Sequence, residues 1–194
     1  MRYYRLLSEW AANEPVQTVT SARIGQALDI DPTQVRKDLR AIGLLGMGRV
    51  GFDACEVCRA IRNACGFDQR YEAVLIGAGH LGGALLAYSG FAKYGLHIVA
   101  AFDSDKRRIG KRIAGHVIRP MRAMKSTIER REIRLAILTT PVEVSQQVTN
   151  SLVAAGVDVI WNFTPAELCV PNGVLVRHEH ISKGLSHIAY RLKQ

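Results

Sequence analysis

Apolar residues follow two patterns along the chain. From Tyr3 to Cys65 they recur every three or four positions, as on amphipathic helices. From Ala73 onward short unbroken apolar runs alternate with helical stretches. In the first part Tyr3, Leu6, Leu7 and Trp10 predict a helix over 3–12, ended by Asn13-Glu14-Pro15. An extended link over 16–19 leads to a second helix over 22–28, with Ile24, Ala27 and Leu28 inward and Thr20 or Ser21 as its cap. Asp31-Pro32-Thr33-Gln34 places an acid at the N-cap, proline at the first helical position and glutamine at the third, as in a capping box. The helix it opens, 33–40, turns Val35 and Leu39 to the core and leaves Gln34, Arg36, Lys37 and Arg40 on the other faces. Four glycines among alternating apolar residues predict a short hairpin over Gly43–Phe52, and 53–65 reads as another helix.

The second part begins with a buried strand over 73–76 that runs into Gly77-Ala78-Gly79-His80-Leu81-Gly82 and a helix to Tyr88. Further strands are expected over 97–102, 115–118, 135–138, 157–161 and 174–176. Helices are expected over 121–130, over 142–155 (closed by Gly156) and over 181–192, the last with Ile181, Leu185, Ile188 and Leu192 on one stripe. Strands alternating with helices mean a parallel sheet, so the expected class is α/β, with a small helical domain ending near residue 70.

G-x-G-x-x-G between a strand and a helix is a dinucleotide fingerprint. Gly77 permits the tight turn, Gly79 lets backbone approach a pyrophosphate, and Gly82 lets helix pack on strand. The phosphates then lie at a positive helix N-terminus. Asp103, ending the next strand, suits a ribose 2′-hydroxyl and repels a 2′-phosphate, which favours NAD over NADP. Ligands of parallel sheets lie at the carboxyl ends of strands. Thr139-Thr140-Pro141 and Asn162-Phe163-Thr164 fall there too, with hydroxyls and amides to orient a nicotinamide carboxamide; turn capping is the alternative for Thr139 and Asn162. His80, Leu81 and Ala78 complete the loop. His178, His180 and His187 are expected to be packing or interface residues, and no metal site is expected. The chain outside 70–180 leaves no room for a substrate domain, which argues against a dehydrogenase.

The helices over 22–28 and 33–40 read as a helix-turn-helix, the hairpin after them as the wing of a winged helix. Gln34, Arg36, Lys37 and Arg40, with Ser21 at the start of the preceding helix, are the candidate DNA contacts, and Arg49 at the hairpin tip suits a minor groove. Net charge, +9, fits a polyanionic partner, yet residues 1–70 carry only +2 and the remainder +7, much of it between Lys106 and Arg134. That segment is expected to be a solvated basic face. With 48% hydrophobic and 22% charged residues the composition is globular. No apolar run approaches the ~20 residues that span a bilayer, and a cytoplasmic protein is expected. Cys55, Cys58 and Cys65 share helical spacing and are expected to be buried structural thiols.

In combination, Gln34-Val35-Arg36-Lys37-Asp38-Leu39, Gly46 to Phe52, Gly77 to Gly82, Tyr88-Ser89-Gly90-Phe91, Ala101-Phe102-Asp103, Ala136 to Pro141 and Asn162 to Pro165 resemble the redox-sensing transcriptional repressor family called Rex over nearly the full length. The resemblance implies a homodimer with a winged-helix domain over 1–70, a Rossmann domain over 71–178 and a C-terminal helix over 179–194 swapped onto the partner. It implies repression of a palindromic double-stranded DNA operator and its release as NADH rises against NAD. It also implies DNA contacts from Arg36, Lys37 and Arg49, a place for Tyr88 near the nicotinamide, and a switch in which Arg5 meets an aspartate at the start of the C-terminal helix. That position holds His180 here, and an arginine facing histidine lacks the attraction of an ion pair. The expected function is therefore an NADH-responsive repressor; the alternatives are a DNA-binding regulator with an altered switch and a small NAD-dependent oxidoreductase.

Overall fold

The computed structural model describes residues 1–13, 17–48, 50–179 and 181–193. Two compact units divide the chain, Met1–Gln69 and Arg70–Gln194.

The first unit holds helices α1 (Arg2–Asn13), α2 (Ser21–Leu28), α3 (Pro32–Ala41) and α4 (Ala54–Ala64), with a two-stranded antiparallel pairing of β1 (Thr18–Val19) and β2 (Phe52–Asp53). Side-chain oxygens start three of these helices. Thr20 accepts from Arg23 N–H, Asp31 from Thr33 N–H and Asp53 from Glu56 N–H. Leu7, Val19, Ile24, Val35, Leu39, Phe52, Val57 and Ile61 form one core. The predicted hairpin over Gly43–Phe52 shrinks to a tight turn closed by a single bridge, Met47 to Gly51, and the strand pairing lies just beyond it. Gly51 explains why. Its φ is +100°, and a Cβ there would sit 2.4 Å from the Val19 carbonyl oxygen, so only glycine brings the turn this close to β1.

The predicted burial of the cysteines is corrected by α4. Its inward face is Ala54, Val57 and Ile61, which leaves Cys55 exposed and Cys58 half-buried; Cys65, the helix's C-cap, is also exposed. Three cysteines at spacings of three and seven share one side of the helix, but that side lies at the edge of the core, where only Cys58 packs against it.

The second unit is a seven-stranded sheet of order β5-β6-β4-β3-β7-β8-β9, parallel except for the β5–β6 edge pair. The strands are β3 (Tyr71–Ile76), β4 (Leu96–Asp103), β5 (Arg112–Ile113), β6 (His116–Pro120), β7 (Leu135–Leu138), β8 (Val159–Asn162) and β9 (Leu175–His178). Setting aside β5, the order is the 3-2-1-4-5-6 of a dinucleotide-binding sheet. Helices α5 (His80–Ala87), α6 (Met124–Arg131), α7 (Val142–Ala154) and α8 (Ile181–Leu192) complete the unit, with 3₁₀ turns at Ser89–Tyr94 and Met121–Ala123. Alternate residues of β3 feed two cores: Val74 and Ile76 join Phe102, Ile128 and Leu152 on one face, and Ala73 and Leu75 join Leu86, Ala101 and Ile137 on the other. Both faces being covered, the strands are unbroken apolar runs. On α8, Leu185, Ile188 and Leu192 are exposed.

Phe102 is fully buried at the centre of this sheet. Phe102→Ala is expected to destabilise the second unit by about 3–5 kcal/mol. Urea unfolding followed through Trp161 in a Trp10→Phe background measures it; an unchanged midpoint would show that the cavity collapses without cost.

Candidate functional site

In the first unit, α3 presents one solvent face. At about 100° per residue, Lys37 lies opposite the buried pair Val35 and Leu39, with Gln34 on one side and Arg40 and Arg36 on the other. The flanking side chains are held. Arg36 donates from Nη1 to Ser21 Oγ at 3.1 Å and from Nη2 to Thr33 Oγ1 at 3.0 Å. Ser21, a predicted DNA contact, thus has its hydroxyl on Arg36. Gln34 does not reach back to the N-cap as a capping box requires; its Nε2 donates to Asp38 Oδ1 at 2.7 Å. The charged Asp38 acceptor one turn ahead holds the amide by its donor end, away from the N-cap N–H that would need Oε1. Ser21, Arg36, Arg40, Leu45, Met47 and Gly48 border a cleft of about 490 Å³ beside the turn. Arg49 lies outside the described residues. Arg5 is exposed and pairs with Glu9 on its own helix at 3.9 Å, while His180, its expected switch partner position, is outside the described residues.

In the second unit the three glycines meet three different surroundings. Gly77 has φ +97°, and a Cβ there would lie 2.7 Å from the Thr139 carbonyl oxygen. A Cβ on Gly82 would lie 1.9 Å from the Gly77 carbonyl oxygen. On Gly79 it would meet nothing within 4 Å. Two glycines therefore serve the protein's own packing, and the third bares its backbone to a cavity at the N-terminus of α5.

That cavity, about 1040 Å³, gathers Gly77, Gly79, Asp103, Thr139, Thr140 and Pro141 from the predicted set. It also gathers residues that periodicity did not single out: Arg108, Arg122 and Lys125 among the charges, and Met121, Met124, Val144 and Val148 among the apolar ones. Part of the basic segment 106–134 thus borders the cavity while Arg122 and Lys125 stay exposed to solvent, as expected of a solvated face. The signal was its position, directly after the strand that ends in Asp103. Asp103 is nearly buried; Oδ2 accepts from Ala78 N–H at 2.8 Å and from Arg108 Nη1 at 3.2 Å, and Oδ1 accepts from Asp105 N–H at 2.8 Å. Asp105 bonds Arg107, whose guanidinium holds its carboxyl down to about 2.

The hydroxyls and amides predicted to orient a carboxamide are corrected. Thr139 Oγ1 donates to the Ile76 and Gly77 carbonyls at 3.0 and 2.6 Å, which ties β7 to the glycine turn. Asn162 is fully buried: Nδ2 meets the Ala166 carbonyl and His178 Nδ1, and Oδ1 accepts from Thr164 N–H and Oγ1. Asn162 and Thr164 build the turn after β8 with these side-chain groups, the turn-capping alternative for Asn162. Thr140 Oγ1 lies 3.2 Å from Ser145 Oγ. His80 and Leu81 are exposed at the start of α5. Tyr88, also exposed, begins a chain of ring contacts through Phe91 (4.9 Å), Trp161 (5.6 Å) and Phe163 (5.0 Å). Gly90 lies beneath its ring, where a Cβ would be 2.4 Å from Tyr88 Cζ. Among the described residues no cluster of His, Cys, Asp or Glu could hold a metal ion, and no helix is long and apolar enough to cross a membrane.

Residues 68–166 match the family described as CoA binding domain, and residues 1–39 a family described as a DNA-binding protein N-terminus. A protein of Treponema denticola named redox-sensing transcriptional repressor Rex is 38% identical over 93% of this chain and 86% of its own length. The chain belongs to the Rex family. A Rex of Brevibacillus brevis is 35% identical over 98% of this chain and 91% of that protein. Among solved structures, that of RSP in complex with beta-NAD+ and operator DNA matches with a TM-score of 0.91 at 32% identity, covering 98% of this chain and 88% of that one. RSP in complex with beta-NADH matches at 0.87 and 31%, covering 98% and 89%.

The second unit of this Rex-family chain fits a dinucleotide. Gly79 leaves backbone open at a helix N-terminus, and the Asp103 carboxylate keeps an acceptor site on Oδ1 after its three protein donors. Gly79→Ala and Gly82→Ala should separate the two roles. Gly79→Ala is expected to keep the thermal midpoint and weaken NADH binding by about tenfold or more. Gly82→Ala is expected to lower the midpoint as well, because α5 must move off Gly77. Titration calorimetry and thermal unfolding read both; equal midpoints for the two variants would contradict the assignment.

Proposed function

We propose that this chain is a homodimeric repressor that binds a palindromic operator through α3 and releases it when NADH occupies the cavity at the glycine loop. The observation that carries this reading is one chain holding both features: a cationic helix face centred on Lys37 and the open Gly79 backbone beside an acidic Asp103. Backbone N–H groups at the start of α5 receive the pyrophosphate, and Asp103 Oδ1 accepts from the adenosine ribose. Arg108, Arg122 and Lys125 add positive potential at the cavity wall. The bound cofactor supplies no reaction here; its reduced ring differs from the oxidised one by the loss of a positive charge. In the first unit Lys37 and Arg40 meet phosphates, while Gln34 and Arg36, held by side chains of the protein, meet base edges.

The exposed stripe Leu185, Ile188 and Leu192 is the surface through which α8 joins the partner subunit. The protein acts as a regulator and not as a dehydrogenase, since the relatives that match over its length are named repressors. A repressor of operator DNA acts in the cytoplasm, in keeping with this reading. To lower operator affinity a hundredfold, NADH must bind the DNA-free state about a hundredfold, or roughly 2.7 kcal/mol, more tightly than the DNA-bound one.

Binding to a palindromic duplex at fixed salt, titrated with NADH and separately with NAD, tests the reading. NADH is expected to release the DNA at concentrations where NAD does not. DNA binding indifferent to both nucleotides would leave a repressor whose switch differs at His180. Lys37→Ala is expected to weaken DNA binding for all sequences, reduce the salt slope by about one, and leave NADH affinity unchanged. Loss of both affinities together would contradict a two-module protein.

A further inference from the structure

The recognition helix carries an acid on the edge of its DNA-facing side. Asp38 lies one turn beyond Gln34, half-buried where Tyr3 of α1 reaches α3. Its Oδ2 accepts from the Tyr3 hydroxyl at 2.5 Å, and its Oδ1 accepts from Gln34 Nε2 at 2.7 Å. A carboxylate beside a phosphate backbone lowers affinity for every sequence alike. A general gain in binding is therefore not what it contributes. We propose that Asp38, braced by Tyr3, is a specificity-determining residue that fixes the sense of the Gln34 amide and so selects the base that Gln34 reads.

The argument is one of donors and acceptors. A glutamine amide turned by half a revolution presents the opposite pattern, with oxygen where nitrogen stood. Reading adenine requires a donor to N7 and an acceptor for the N6 amino group, in one sense only. An ionised carboxylate accepts and never donates, so it holds Nε2 and rejects Oε1. With one N–H on Asp38, the second N–H and Oε1 point away from it as a donor–acceptor pair of defined order. Gln34 sits in the first turn of α3, the part of a recognition helix that reaches base edges. Tyr3 completes the device. Its hydroxyl occupies the other carboxylate oxygen, and the same contact holds the Asp38 carboxyl below its ordinary range, while burial and that bond push the Tyr3 hydroxyl up to about 12. The proton stays on tyrosine and Asp38 stays an acceptor throughout the working pH range. On the far side Arg36 is held differently, by the neutral hydroxyls of Ser21 and Thr33.

This inference rests on the reading that α3 enters the major groove, and the test keeps the two apart. Full-length wild type, Gln34→Ala, Asp38→Ala, Asp38→Asn and the double variant Gln34→Ala/Asp38→Ala are each presented, at one fixed salt concentration, with a library of palindromic duplexes randomised in each half-site. Bound duplexes are sequenced. Gln34→Ala is expected to flatten an adenine preference at one half-site position. Asp38→Ala is expected to weaken the same preference by about tenfold and no other, with affinity for random DNA held or raised. The double variant should match Gln34→Ala alone. Asp38→Asn should weaken the preference as Asp38→Ala does, because its amide can accept from the Tyr3 hydroxyl and donate to Gln34 Oε1, and so no longer fixes the sense of the glutamine. A fully retained preference would show that an acceptor-only partner is not required, and the proposal falls. If Gln34→Ala flattens a position that Asp38→Ala leaves intact, the groove reading stands and the proposal falls. If Asp38→Ala weakens all positions equally and lowers the thermal midpoint, Asp38 is only a tether between α1 and α3, and the proposal falls. If Gln34→Ala changes no position, Gln34 reads no base and the proposal falls, while the groove reading is decided separately by whether Lys37→Ala weakens DNA binding.

Discussion

The second unit depends on one close approach. Helix α5 lies on β3 so tightly that the Gly82 Cα stands where any side chain would collide with the Gly77 carbonyl. The Thr139 hydroxyl bonds that same carbonyl and brings the end of β7 to the turn. With helix, turn and neighbouring strand locked, the N–H groups at the start of α5 are fixed before any ligand arrives. Asp103 fastens the turn from the other side through Ala78 N–H. A loop held at both ends needs little further ordering on binding, which is how preorganisation lowers the entropic cost of association.

The first unit applies the same economy to a different surface. Lys37, at the centre of the exposed face of α3, is exposed to solvent, as suits a charge that neutralises phosphates without fixed geometry. The groups on its flanks are directed ones, and each is braced by a neighbour: Arg36 by Ser21 and Thr33, Gln34 by Asp38 and Tyr3. Two of those braces, Ser21 and Tyr3, come from helices other than α3, so the reading face has its shape only when the small core of Leu7, Ile24, Val35 and Leu39 is assembled.

Most of the architecture was legible in the chain. The helices over 181–192 and 142–155 and the strand at Leu135–Leu138 stand where their patterns put them, to within a residue. Buried parallel strands are apolar throughout, and the capping residues Asp31 and Asp53 announce their helices. What failed were contacts made at a distance. Asn162 and Thr164 have the chemistry of ligand groups but spend it on each other, Ala166 and His178. Cys55 and Cys65 share a helix face, yet a spacing gives a face without saying which way it points. Arg108, Arg122 and Lys125 are charges at the surface, as their sequence suggests, but nothing local marks the cavity they border beside α6 and α7. The wing was misjudged for a related reason, since the strand that Phe52 pairs with begins at Thr18.

The order of strands also has a temporal meaning. The central strand β3 is the first of its sheet to leave the ribosome, yet one of its two neighbours, β7, pairs Leu135 with Ala73. At about 5–20 residues per second, that partner arrives several seconds later. Until then β3 has an unpaired edge and the glycine turn lacks the Thr139 bond that locks it. The helical unit, whose contacts lie within its own first stretch of chain, has by then been fully synthesised. During synthesis, the part that reads DNA is therefore complete before the part that governs it.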